Sequence, residues 1–214
     1  MTQTQLCIKT DFEDYYDKFA LVNRDNNGIL YKRMMSDSMQ RGSALKYLRS
    51  LGVKTLDIKQ VSSFSHLDKN LVVYTDPKKH NGLGKKILSY EEAMTSYSNF
   101  PASKYLEDSD GFTVKVVQVG QRRFTLTFKK DKDDKSLNEG ILVNLCEMTP
   151  AYNMLIGLPI FSIDYIASGC EMIATDFNEV ENLKRLNLDR YMTGQEICTE
   201  IINSLYKYNK VERN

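Results

Sequence analysis

The sequence has little of the apparatus that carries the commonest chemistries. Two histidines and four cysteines are scattered through 214 residues. Cys7, Cys146, Cys170 and Cys198 form no CxxC pair, so a zinc site is not expected, and reduced thiols fit better than a disulfide framework. No histidine lies near Cys146 or Cys170, and no Ser/His/Asp or Cys/His set can be assembled, so neither thiol reads as a nucleophile. The Walker A pattern GxxxxGK[ST] is missing. No apolar run reaches the roughly 18 residues of a membrane span. MTQTQLCIKTDFEDYYDK has no basic region leading into an apolar stretch, which predicts no secretory signal and a cytoplasmic location. An excess of one charge is lacking too. Lys+Arg 29 against Asp+Glu 28 leaves a net charge of +1, so no global field draws the chain to a membrane or to nucleic acid, although a local basic face stays open.

What is present reads as a soluble α+β protein. Hydrophobic content of 42% is enough for one domain or two small lobes with a real core. LCIKT (6–10) and ILYKRM (29–34) predict strands around an acidic helix, DFEDYYDKFAL, and a turn, RDNNG. SDSMQRGSALKYLRSLG predicts a helix with Ala44, Leu45, Leu48 and Leu51 on one face, capped by Asp37 or Ser38 and stopped by Gly52. KTLDI and NLVVYT predict strands, and SYEEAMTSYS a helix opened by a Ser89/Glu92 capping box. FTVKVVQV and RFTLTFKK alternate around VGQRR as a hairpin, with Arg122 and Arg123 as its solvated tip. A charged loop, KDKDDKSLNEG, a short helix, TPAYNMLIG, a second hairpin and a final helix with a Thr193/Glu196 box complete the chain. Helices mixed with antiparallel hairpins define the α+β class.

The second hairpin, PIFSIDYIASGCEMIATDFNEV, carries two acids in apolar runs. A turn at Ala167–Cys170 sets Asp164 beside or opposite Asp176, and strand alternation puts Asn178 on the face of Asp176. Two carboxylates pressed together in a half-buried sheet repel and are costly to desolvate. A divalent cation removes that cost, and Mg²⁺ takes one or two carboxylates together with waters and phosphate oxygens. The competing reading places both acids on a solvated face. Upstream, KHNGLGKK offers Gly82 and Gly84 for close backbone approach to phosphates, with Lys85 and Lys86 as charge; a plain Gly-rich turn reads the same way.

Together these segments resemble the ATP-grasp ligases, most closely the RimK-type branch that joins a carboxylate to an amine. Asp164, then Asp176-x-Asn178 twelve residues on, match that family's Mg²⁺-binding hairpin in type and spacing, although the family usually has Glu where Asp176 stands. ASKYLEDSDGFTVKVVQVGQRRFTLTFKKDKDDKSLNEG resembles its adenine hinge, following hairpin and loop; KHNGLGKK resembles its flap, and SMQRGSALKYLRSLGVKTL the helix before its first lobe. The resemblance spans roughly residues 38 to 208. It implies ATP and Mg²⁺ as cofactors. Backbone at Lys104, Tyr105 and Leu106 would meet the adenine and Thr113 the ribose. Lys115, and Lys129 or Lys130, would meet the phosphates, with Asn138 as a further site residue. It also implies a shortened N-terminal segment (1–37), a truncated first lobe with the flap (38–102) and a C-terminal lobe with the metal site (103–214).

The sequence departs from that family at the end of NLVVYT, where Tyr74 stands in place of a nucleotide-binding lysine; Lys78, Lys79, Lys85 or Lys86 would have to supply the charge. The first lobe and the substrate-binding N-terminal region are short. The compressed chain suits a bacteriophage protein acting in the host cytoplasm. Two functions follow: a ligase that uses Mg-ATP to activate a small-molecule or peptide carboxylate and joins it to an amine, or a non-catalytic relative serving as a nucleotide sensor or a protein or nucleic-acid binding module.

Overall fold

The computed structural model describes residues 41–76, 84–106, 109–129, 140–148, 160–168, 171–178, 188–193, 195–197, 199–200 and 203–204. The strands expected at 6–10 and 29–34, the acidic helix between them, the short helix at 149–157, nearly all of the charged loop and most of the flap lie outside those residues.

Helix α1, Arg41–Ser50, forms because Ala44, Leu45 and Leu48 share one face, and all three are buried. Gly52 stops it as expected. At φ 84 it enters the left-handed region, its amide donates to the Arg49 carbonyl at 2.9 Å, and the Val53 amide donates to the Leu48 carbonyl at 3.1 Å. The strand expected at KTLDI shrinks to one parallel bridge, Thr55 to Ala174. Four residues later the chain pairs in a different sheet, so it has no length left to extend the first contact.

That second sheet has four strands in the order β1-β4-β2-β3, built from β1 (Lys59–Gln60), β2 (Asn70–Tyr74), β3 (Lys85–Ser89) and β4 (Pro101–Lys104). Helix α2, Tyr90–Tyr97, starts at the expected capping box: the Glu92 amide donates to Ser89 Oγ, and the Ser89 amide donates back to Glu92 Oε2 at 2.9 Å. Val61, Phe64, Leu71, Val73, Ala93 and Ala102 make its core.

The larger sheet is antiparallel with the order β7-β6-β5-β8-β9: β5 Ser109–Val119, β6 Arg122–Lys129, β7 Ile141–Met148, β8 Ile160–Ser168 and β9 Glu171–Asn178. Both of its faces carry buried apolar side chains. One carries Phe161, Ile163, Ala174 and Phe177, part of the core that includes Leu45 and Leu48 of α1, with the Tyr47 and Phe177 rings 6.4 Å apart. The other carries Val117, Val119, Phe124 and Leu126, in the same core as Leu188, Met192 and Ile197. The Thr193/Glu196 box is present, with Glu196 Oε2 accepting from the Thr193 amide at 2.7 Å. Among the described residues no helix is long and apolar enough to cross a membrane.

The sequence reading contained no strand at ILVNLCEM, and β7 corrects it. It also corrects the solvated arginine tip. Arg122 Nε and Nη2 donate to the two Glu147 oxygens, each at 2.7 Å, and Nη2 also reaches the Tyr191 carbonyl at 3.1 Å. Arg123 is buried on the opposite face and donates to Gln118 Oε1 at 2.8 Å. The Arg122 guanidinium holds the Glu147 carboxyl below the usual carboxylate range. That contribution is therefore full above the ordinary carboxylate pKa and fades as pH falls through the lowered one. Partial exposure screens the pair, so Glu147→Gln should lose about 0.5–1 kcal/mol at pH 7, a Tm drop of roughly 2–3 °C. Thermal scans from pH 7 down to about pH 3 should show the difference vanish; a difference that stays constant would remove the ion pair as its cause.

Candidate functional site

Register assembles the site. Lys115 on β5 lies directly across from Asp164 on β8, and Asp164 directly across from Asp176 on β9. The row begins at Leu145 on β7 and passes through Leu126 on β6, so one line perpendicular to the strands reads Leu145, Leu126, Lys115, Asp164, Asp176. Directly paired residues share a face, so ammonium and both carboxylates emerge on the same side. The next row brings Val117, Ser162 and Asn178 together on that side. Thr113, two residues before Lys115, stands on it as well.

Burial and bonding set the electrostatics. The Lys115 side chain is 6% exposed and its Nζ is 3.2 Å from Asp164 Oδ1; the Asp164 side chain is 26% exposed. A buried ammonium needs such a counter-charge, because desolvation alone would favour its neutral form. Asp176 Oδ1 accepts from the Phe177 amide at 3.1 Å. Asn178 Nδ2 donates to Ser162 Oγ at 3.4 Å, and Ser162 is fully buried. Among the described residues no group of three or more His, Cys, Asp or Glu could hold a metal ion. Two carboxylates and one amide are a hard, incomplete oxygen set. That donor set fits Mg²⁺ completed by waters and phosphate oxygens, and lacks the nitrogen and sulfur ligands of a structural zinc centre.

The other candidates are dispersed. Lys129 is paired with Phe112, one step out of phase with Lys115, and so alternates onto the opposite face at the far end of β6. Lys104, Tyr105 and Leu106 follow one another from the end of β4 toward β5, the link between the two sheets. There the Tyr105 amide donates to the Asn70 carbonyl at 3.0 Å, and Lys104 is paired with Asp68. Gly84 adopts φ 77, and its carbonyl accepts from the Thr75 and Asp76 amides. Lys85 lies directly opposite Tyr74. Tyr74 is buried, with its hydroxyl 3.0 Å from Ser103 Oγ. Lys86 alternates to the other face and donates to the Tyr97 hydroxyl at 2.8 Å. Lys78, Lys79, Gly82, Lys130 and Asn138 lie outside the described residues. Two hydroxyls that the sequence did not single out, Ser162 and Thr175, bond within the acid rows; only three-dimensional pairing reveals them.

No family model matches the sequence, and no curated protein matches it. Solved structures do. A RiPP-associated ATP-grasp ligase from Chryseobacterium gregarium, in complex with ADP and a leader and core peptide, superposes with a TM-score of 0.54 at 12% identity, covering 92% of this chain and 71% of that one. The macrocyclase MdnC from Microcystis aeruginosa, bound with precursor peptide MdnA, gives 0.51 at 16% identity over 89% and 73% of the two chains. The ATP-grasp ligase PsnB, complexed with a precursor variant, Mg and ADP, gives 0.50 at 11% identity over 90% and 69%. The chain has the ATP-grasp fold.

Proposed function

We propose that the protein is an ATP-dependent carboxylate–amine ligase whose metal ligands are Asp164, Asp176 and Asn178. The observation that supports this most is the single row of Lys115, Asp164 and Asp176 across three strands. Such a row gathers one fixed cation and two hard anionic ligands where a triphosphate and its counter-ion need them. Mg²⁺, when bound, neutralises phosphate charge. Lys115 would hold the transferring phosphoryl group, the link at Lys104–Leu106 would face the adenine, and Thr113 would stand toward the ribose. The substrate carboxylate attacks the terminal phosphorus and ADP leaves. The amine then attacks the acyl carbon of the acylphosphate, the carbon–oxygen bond to phosphate breaks, the nitrogen's surplus proton leaves with the phosphate, and an amide and inorganic phosphate result. Positioning and charge neutralisation carry this chemistry, so no side-chain nucleophile is needed. The peptides bound by the superposed ligases make a peptide substrate the first class to test. On this reading the lobes follow the sequence spans 38–102 and 103–214, although α1 packs with the core of the larger sheet.

A second reading, a nucleotide-binding relative without catalysis, is favoured by Tyr74. Its hydroxyl is bonded to Ser103 at the strand end where the resembled ligases carry a lysine.

Calorimetric titration with a non-hydrolysable ATP analogue, with and without MgCl2, separates these ideas. Wild type should bind in a Mg²⁺-dependent manner, and Asp176→Ala/Asn178→Ala should lose that dependence. ATP-dependent phosphate release with a peptide carboxylate and an amine then distinguishes ligase from sensor. A folded wild type that binds no analogue would sink both.

A further inference from the structure

The hairpin that carries the acids is not regular, and its irregularity decides which face they occupy. From the turn outward, Ser168 pairs with Glu171, Ala167 with Met172, Ile166 with Ile173 and Tyr165 with Ala174. Continued without interruption, that ladder would set Asp164 against Thr175, Ile163 against Asp176 and Phe161 against Asn178. The observed partners are Asp164 with Asp176, Ile163 with Phe177 and Ser162 with Asn178, with a register shift after Asp164. Thr175 is the extra residue. Side chains alternate with a period of two, so a one-residue slip moves every later side chain to the other face. Without the bulge Asp176 and Asn178 would join Ile163 on the α1 side, and Phe177 would leave the core for the side of Lys115. With it, both ligands stand beside Asp164, and Phe177 lies 6.2 Å from Phe161, ring to ring.

Two contacts hold the slip in place. The Thr175 hydroxyl donates to the Asp164 carbonyl at 3.2 Å, tying the bulged residue to the strand it has slid past. On the outer edge Ala174, immediately before the bulge, is clamped by the segment after α1: its amide donates to the Lys54 carbonyl and its carbonyl accepts from the Leu56 amide, both at 2.9 Å. Bulges commonly re-aim side chains beside active sites. We infer that Thr175 is a positioning residue for the metal site, its hydroxyl fixing the register that turns Asp176 and Asn178 toward Asp164.

This inference rests on the Mg-nucleotide reading above, and its test separates the two. Thr175→Val keeps the β-branched shape and removes the hydroxyl; Thr175→Ser restores the hydroxyl. Each is titrated with the non-hydrolysable ATP analogue with and without MgCl2, beside wild type and Asp176→Ala/Asn178→Ala, with Tm measured in parallel. Thr175→Val should lose about tenfold of the Mg²⁺-dependent gain in affinity, the scale expected when a residue supporting a ligand is removed. Its Mg²⁺-free binding should stay at the wild-type level, and Thr175→Ser should recover to within about threefold. A merely structural role would lower Tm and both affinities together, and that result overturns the inference, as does a Thr175→Val that keeps its full Mg²⁺ response while wild type depends on Asp176 and Asn178. A wild type without any Mg²⁺ response overturns the metal reading itself.

Discussion

Gly120→Ala should lower Tm by about 10 °C, the result of roughly 3 kcal/mol lost in a chain of this size. Gly120 opens the two-residue loop between Val119 and Arg122, which are paired. Its φ of 59 is what a primed hairpin turn demands at its first central position, and an alanine is strained there. Space is the second obstacle. A Cβ at this position would fall 2.6 Å from the Glu200 carbonyl oxygen and 2.7 Å from its Cβ. The turn is therefore also a docking point: the Gln121 amide donates to Glu200 Oε2 at 3.1 Å. Calorimetric melting of Gly120→Ala beside Gly120→Ala/Glu200→Ala tests the second obstacle. The added substitution removes the carboxylate and leaves the backbone oxygen, so it should recover little. Full recovery would show that only the flexible side chain stood in the way, and a single variant melting within 2 °C of wild type would remove both obstacles.

How much of this was legible beforehand depends on the range over which each signal acts. Capping boxes at Ser89/Glu92 and Thr193/Glu196, and the glycine stop at Gly52, need only neighbours in sequence, and the structure has all three. The β5–β6 and β8–β9 hairpins were legible because alternation and a short turn determine their partners locally. β7 was not, because ILVNLCEM alternates poorly and owes its strand to pairing with β6, which ends well before it in the chain. That omission also misplaced Arg122, whose partner Glu147 lies on β7. The pairing of Asp164 with Asp176 was expected to within one residue. The remaining uncertainty, one register step, was the bulge at Thr175, and single-residue bulges carry no composition signal of their own. Lys129 illustrates the same limit: it stands three residues past Leu126, the partner of Lys115, and so on the opposite face, which likeness in residue type alone does not reveal.

Lys115→Met is expected to expose what the acid row is for. The ammonium is nearly buried and stands 3.2 Å from Asp164, while Asp176 is the next residue in the row. Removing it leaves a partly buried carboxylate beside a second one with its nearest positive charge gone. Breaking a fully buried pair in this way costs about 3–5 kcal/mol; Asp164 keeps some solvent, so about 2–3 kcal/mol is expected, a Tm loss of roughly 8 °C. Two further measurements assign the cause. Millimolar MgCl2 should raise the Tm of Lys115→Met by more than it raises that of wild type, because the divalent ion then replaces the positive charge lost beside the acids. Lys115→Met/Asp164→Asn should regain most of the stability without Mg²⁺, since the stranded charge is gone, yet bind the ATP analogue at least tenfold more weakly than wild type. Stability would then recover in one protein while nucleotide affinity stayed low. A structural ion pair with no other role predicts that they recover together, so the double variant decides between a row of charges kept for the fold and one kept for a phosphate and its metal.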